Sequence, residues 1–221
     1  MSMFDITKNA FTVIVSAYPM TLMLSVFPFF LSLVLGFVVA GCKLSRWRFF
    51  RVLGTAYVNF FRNLPYIILI FIVFYGVPLW FDTHISKFTV AIVSLSLNQA
   101  AYFAEIIRGG LVKLQDGQLE AGEALGLTRL QRLRFIVVPQ VMYAVTPALM
   151  GQTTQLIKST AVVSVIGIKE LTMVGRAVTS STHAPLICFT LVALMYFVVC
   201  FGLQWIARKV EKANLRIMRG A

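Results

Sequence analysis

Residues 120–140 read EAGEALGLTRLQRLRFIVVPQ, a charged, glycine-broken stretch between long apolar runs. Its local pattern is that of two helices and a tight turn. Residues 119–125 are good helix formers apart from Gly122. Gly126 stands where a helix ends on a left-handed residue. Thr128, with Gln131 three residues on, has the capping-box spacing. The spacing predicts a short helix, a glycine turn, and a second helix running into the apolar segment that begins at Phe135. Leu119, Gly122 and Gly126 fall on one side of the short helix. A glycine inside a helix costs about 1 kcal/mol relative to alanine, so its presence suits close approach of another surface. That surface is either the ends of neighbouring helices or a soluble partner, and spacing alone leaves both open.

The surroundings of this stretch are hydrocarbon-seeking. Of 221 residues, 59% are hydrophobic, whereas a soluble domain is normally about half apolar or less. Several uncharged runs reach about 18 residues, roughly the length that crosses a bilayer core. They are too continuously apolar for the in–out alternation of a barrel. The expected fold class is an all-α polytopic membrane protein forming one transmembrane domain over 1–221. Five transmembrane helices are expected, at about 17–42, 52–80, 88–107, 135–157 and 185–207. Pro19 and Pro28 mark the start and a kink of the first, and Arg62 with Asn63 interrupts the second. The fourth is the most polar, with Gln140, Gln152, Thr153, Thr154 and Gln155 on it. The apolar piece 161–168 is too short to span. The first run lacks a basic flank and a clear cleavage site, so it reads as a retained helix.

The formal charge is +12. Fifteen of the twenty Lys and Arg residues lie in 43–62, 108–134 and 208–219. Basic loops gather on the cytoplasmic side, which places the N-terminus outside, the C-terminus inside and the loop 108–134 in the cytoplasm. This clustering, without an aromatic and basic recognition motif, argues against a nucleic-acid partner. Cys42, Cys188 and Cys200 have no CxxC neighbour, and His84 and His183 stand alone. The cysteines read as small packing residues, and no metal site is expected.

Residues 120–139 resemble the EAA loop of ABC importer permeases. The matching positions are Glu120, Ala121, Gly122, Gly126, Ile136, Val138 and Pro139, with Gly122 where the family prefers alanine and Val138 where it prefers leucine. The resemblance extends over about residues 10–215. FRNLPYIILIFIVFYGVP (61–78), LSLNQAAYFAEIIRGG (95–110) and TTQLIKSTAVVSVIGIKELT (153–172) are similar, in order and spacing, to segments of the polar amino-acid uptake permeases of the histidine and glutamine type. The resemblance implies the small five-helix type I importer permease fold in a bacterial cytoplasmic (inner) membrane. It implies a second permease subunit, identical or homologous, two ATP-binding subunits and an extracytoplasmic substrate-binding protein. It assigns ATPase coupling to Glu120, Ala121, Gly122, Gly126 and Pro139. No Walker A motif or catalytic triad is present, so no catalytic role is expected here, and ATP and Mg belong to the partner ATPase.

Polar groups inside spans are costly and usually face an interior or a cavity. On that ground Asn98, Gln99, Tyr102, Gln152 and Gln155, with Lys158 and Ser159 just beyond, are candidates for lining a substrate path. Hydrogen bonding between helices is the alternative for each. Glu105 is expected to pair with Arg108 or Arg62, and Arg62 is expected to snorkel to an interface. The family often carries a carboxylate or amide where Ser159 stands, which tilts the expectation away from cationic substrates. An ATP-independent secondary transporter or channel is the competing class. A scaffold that keeps only the ATPase-facing loop is a third.

Overall fold

The structure is a computed structural model. It describes residues 3–114 and 116–219, with side chains at 6–114, 117–118 and 120–212. The side of the short helix assigned to Leu119 therefore lies outside the described residues. All regular elements among the described residues are helical.

Helix α1 (Met3–Val15) precedes α2 (Tyr18–Leu44), and together they form an apolar segment from Ile6 to Leu44. Pro19 sits in the first turn of α2, where a missing N–H leaves no bond unmade. The helix continues through Pro28 to Leu44. Next come α3 (Arg48–Asn63) and α4 (Tyr66–Phe71), which passes through a π turn, Ile72–Gly76, into α5 (Val77–Phe81). The stretch 52–80 is thus not one rod. Arg48–Asn63 and Tyr66–Phe81 meet at 104°. Pro65 explains the break: its ring disfavours helical geometry in the residue before it, and Leu64 is extended, with φ −89° and ψ 127°.

Helix α6 (Lys87–Val112) is the central span, with about two thirds of its apolar window buried. Between apolar helices in lipid, packing rather than water exclusion drives association, and small residues let backbones approach. Gly36 of α2 shows this: a Cβ there would lie 2.8 Å from the Cβ of Phe103 and 3.3 Å from the backbone nitrogen of Ala104. Ala40, Val58, Ala104 and Ile107 close the same seam against α3.

Beyond α6 lie α7 (Asp116–Ala124) and α8 (Arg129–Arg132). A second π turn, Leu133–Val137, leads into α9 (Val138–Ser159), which ends in the 3-10 segment Thr160–Ile166. Pro78 and Pro139 each follow a π turn by two residues. In a regular helix each ring would strike the carbonyl four residues back, and the π turn widens the helix at that carbonyl. The chain closes with α10 (Leu171–Thr182) and α11 (Pro185–Arg219). Among the described residues four helices are long and apolar enough to cross a membrane, and the bent pair α3–α5, counted as one span, makes a fifth.

At the end of the bundle nearest α7, the carboxylate of Glu105 accepts from Arg108 at 2.9 Å and from Lys43 at the end of α2. Arg108 is the partner expected. Lys43 is a further partner, because α2 runs alongside α6 and delivers its last turn there.

Candidate functional site

The break in the second span opens a cavity of about 550 Å3. Residues 62–66 of the break form one wall, Asn98, Gln99 and Tyr102 of α6 another, and Gln152, Gln155 and Ser159 of α9 the third. Residues three, four and seven apart share a helix face, which is how α6 and α9 each present these groups together. Irregular backbone at membrane depth is tolerated where it lines a cavity, and here it does.

A chain of amides ties the three walls. Gln152 Nε2 donates to Gln99 Oε1 at 2.7 Å, Gln99 Nε2 to Asn98 Oδ1 at 3.5 Å, and Asn98 Nδ2 to the Phe61 carbonyl at 3.1 Å. Asn98 and Gln99 are buried, so each unmade bond would leave a desolvated amide. Tyr57 donates its hydroxyl to the Leu97 carbonyl at 2.7 Å and fixes α3 against α6. The guanidinium of Arg62 lies 5.3 Å from the Tyr102 ring centroid, a cation–π arrangement.

Six of the seven candidate path residues line this cavity: Asn98, Gln99, Tyr102, Gln152, Gln155 and Ser159. Lys158 does not. It lines a different cleft, between α9 and α11, with Tyr196, Cys200 and Gln204. One residue's step turns a helical side chain by about 100°, and that step separates Lys158 from Ser159. Arg62, exposed in the last turn of α3 beside the bend at Asn63–Pro65, also lines the cavity. Its neighbour Pro65 was the available signal.

The second surface is the loop between α6 and α9. Gly126 has φ +75°. Its N–H donates to the Glu123 carbonyl at 2.9 Å, and that of Leu127 to the Gly122 carbonyl at 3.0 Å. This pair of bonds is a Schellman turn. Thr128 and Gln131 form the capping box in both directions. Arg132 Nη1 donates to Glu123 Oε2 at 2.5 Å, and Gln140 pairs with Gln118. Gly122 is buried, and a Cβ on it would lie 2.6 Å from Ile136 Cδ1. Its close approach is therefore to the root of α9 in the same chain. Glu120, Ala121 and Gly126 are exposed, with Leu125 81% and Leu130 74% exposed beside them. Pro139 is half-buried in the first turn of α9.

Glu170 was not singled out from the sequence. It is fully buried and caps α10, accepting from the Thr172 and Met173 N–H groups at 2.9 and 2.8 Å and from the Tyr196 hydroxyl at 2.8 Å. Burial pushes its carboxyl above the usual range, against the opposing pull of those hydrogen bonds. Its signal is faint in the sequence, because glutamate is an uncommon N-cap.

Residues 32–216 match the family described as binding-protein-dependent transport system inner membrane component. The arginine transport system permease protein ArtQ of Bacillus subtilis (strain 168) is 32% identical over 209 residues, covering 95% of each chain. The glutamine transport system permease protein GlnP of Escherichia coli (strain K12) is 29% identical over 204 residues, covering 92% of this chain and 93% of its own. Among solved structures, an amino acid ABC transporter crystallised with histidines superposes with a TM-score of 0.87 at 27% identity, over 96% of this chain and 99% of that one. The methionine ABC transporter MetNI, in an inward-facing form, shares the fold, with a TM-score of 0.69 at 21% identity over 97% and 99% of the two chains.

Proposed function

This chain belongs to the family of binding-protein-dependent transport system inner membrane components, and on that footing we propose that it is the permease subunit of an ATP-driven importer for a polar amino acid. In this reading it sits in a bacterial inner membrane with its N-terminus outside and its C-terminus in the cytoplasm. A second permease subunit completes the translocation path, two ATP-binding subunits supply the work, and an extracytoplasmic protein delivers the solute. ATP and Mg are held by the ATPase, not by this chain.

One observation carries the reading: a polar cavity at a broken span and an exposed helical knob are joined by a single helix. Helix α7 is bound to the root of α9 by the Glu123–Arg132 ion pair, the Schellman turn and the fit of Gly122 on Ile136. Helix α9 carries Gln152, Gln155 and Ser159 into the cavity. A displacement of α7 therefore reaches the cavity through one rigid element. The exposed residues Glu120, Ala121, Leu125 and Gly126 meet the ATPase, while Gly122 and Pro139 serve the joint behind them. For ATP binding to drive the cycle, the two conformations of this joint must differ in affinity for the closed ATPase.

The test is a cross-link. Ala121→Cys is expected to form a disulfide with a cysteine placed in the groove of the co-expressed ATPase, at a yield that changes with ATP. Equal yields from Ala121→Cys and from a cysteine at Leu79, on the far side of the bundle, would defeat the assignment.

A further inference from the structure

We propose that the cavity holds its solute by the carboxylate, on Arg62, and rejects a cationic side chain, so that this chain serves amino acids with uncharged or acidic side chains rather than arginine or lysine. The inference rests on the importer reading above and deepens it.

Arg62 is the one charged side chain among the residues lining the cavity. No ion pair among the described residues involves it. The other polar groups on the walls are amides and hydroxyls. The nearest carboxylate along α6, Glu105, lies one turn beyond Tyr102 and is already neutralised by Lys43 and Arg108. The fixed charge of the cavity is therefore a single positive one, on its wall.

A guanidinium presents parallel donors that match a carboxylate, and that of Arg62 lies over the Tyr102 ring at 5.3 Å from its centroid. The α-ammonium of an amino acid finds neutral oxygens. Gln152 Oε1 is left over once its Nε2 has donated to Gln99, and the amide of Gln155 lies one turn on. A second positive charge on the solute meets no anion and is repelled by Arg62. At about 550 Å3 the cavity falls within the range of small-molecule sites.

The experiment uses the complete reconstituted transporter and a panel of radiolabelled amino acids. The expected result is uptake of at least one amino acid, with arginine and lysine imported roughly tenfold less well or not at all. The α-amide of the best-imported amino acid should compete at least about tenfold more weakly than the parent, the span expected when a charged hydrogen bond is lost. Arg62→Gln should erase that preference for a free carboxylate. Ser159→Asp, which adds an anion at the α9 wall, should admit arginine, and this holds the assignment to account if Arg62→Gln does not fold. Import of arginine or lysine on a par with the best substrate overturns the inference while leaving the importer reading standing. So does an Arg62→Gln transporter that keeps its full carboxylate preference. A transporter active on none of the panel overturns both.

Discussion

Replacing Gly126 probes the joint between knob and cavity. Its backbone is left-handed, with φ +75°, and a Cβ built on it would meet nothing within 4 Å. Within this chain the cost of a side chain there is consequently conformational, not steric. Alanine in the left-handed region costs about 1–2 kcal/mol, whereas asparagine visits it far more readily. A β-branched residue is a true outlier there and costs more than alanine. Each 1.4 kcal/mol is about a factor of ten in population. Losing the turn releases the two Schellman bonds, Gly126 to Glu123 and Leu127 to Gly122, and loosens the connection by which α7 is held on the root of α9. The expected order of coupling is Gly, then Asn, then Ala, then Val. In proteoliposomes with the ATPase and binding protein, Gly126→Val should lower amino-acid uptake per ATP hydrolysed about tenfold or more. Membrane insertion should be unchanged, since Gly126 is exposed and packs against nothing. A Gly126→Val protein that transports like the wild type, or a Gly126→Asn protein as impaired as Gly126→Val, refutes the reasoning.

Other outcomes follow from the same geometry. Gly122→Ala should be nearly neutral in uptake, because the atom in its way is the free end of Ile136, while Gly122→Leu should uncouple by prising α7 off α9. Gln152→Leu breaks the 2.7 Å bond to buried Gln99 and should lower thermal stability in detergent by about 1 kcal/mol, the scale of interhelical hydrogen bonds in membranes. Gln99→Leu added to it should cost less than the sum of the two single changes. For Glu170, burial raises the native pKa above the ordinary 4.5. The native state therefore binds more protons than the unfolded one in that window, and the stability this group supplies is full below pH 4.5 and lost as pH rises through its native pKa. Thermal unfolding of Glu170→Gln should show a flatter pH dependence over that window than the wild type.

Local chemistry was legible where it is written in adjacent residues. The turn at Gly126 and the cap from Thr128 to Gln131 both follow from short-range spacing, and both are present. The polar positions of α6 and α9 were legible because an amide inside an apolar run has few places to go. What needed the third dimension was direction. Lys158 and Ser159 are neighbours in sequence and face different clefts. Lys43 and Glu105 are 62 residues apart and meet only because α2 lies along α6. The 104° bend at Asn63–Pro65 brings Arg62 into the lining of the cavity with α6 and α9. The glycine at 122 read equally as a docking face or as packing. The side chain of Ile136 places its close contact on the chain's own π turn at the root of α9.

The central claim is that this chain moves a solute only when an ATPase works through it. The direct measurement is accumulation of labelled amino acid in proteoliposomes holding the chain with and without its ATPase, binding protein and ATP. Accumulation against a gradient that requires all three is the predicted result. Accumulation by the chain alone, driven by an ion gradient and indifferent to ATP, would contradict it.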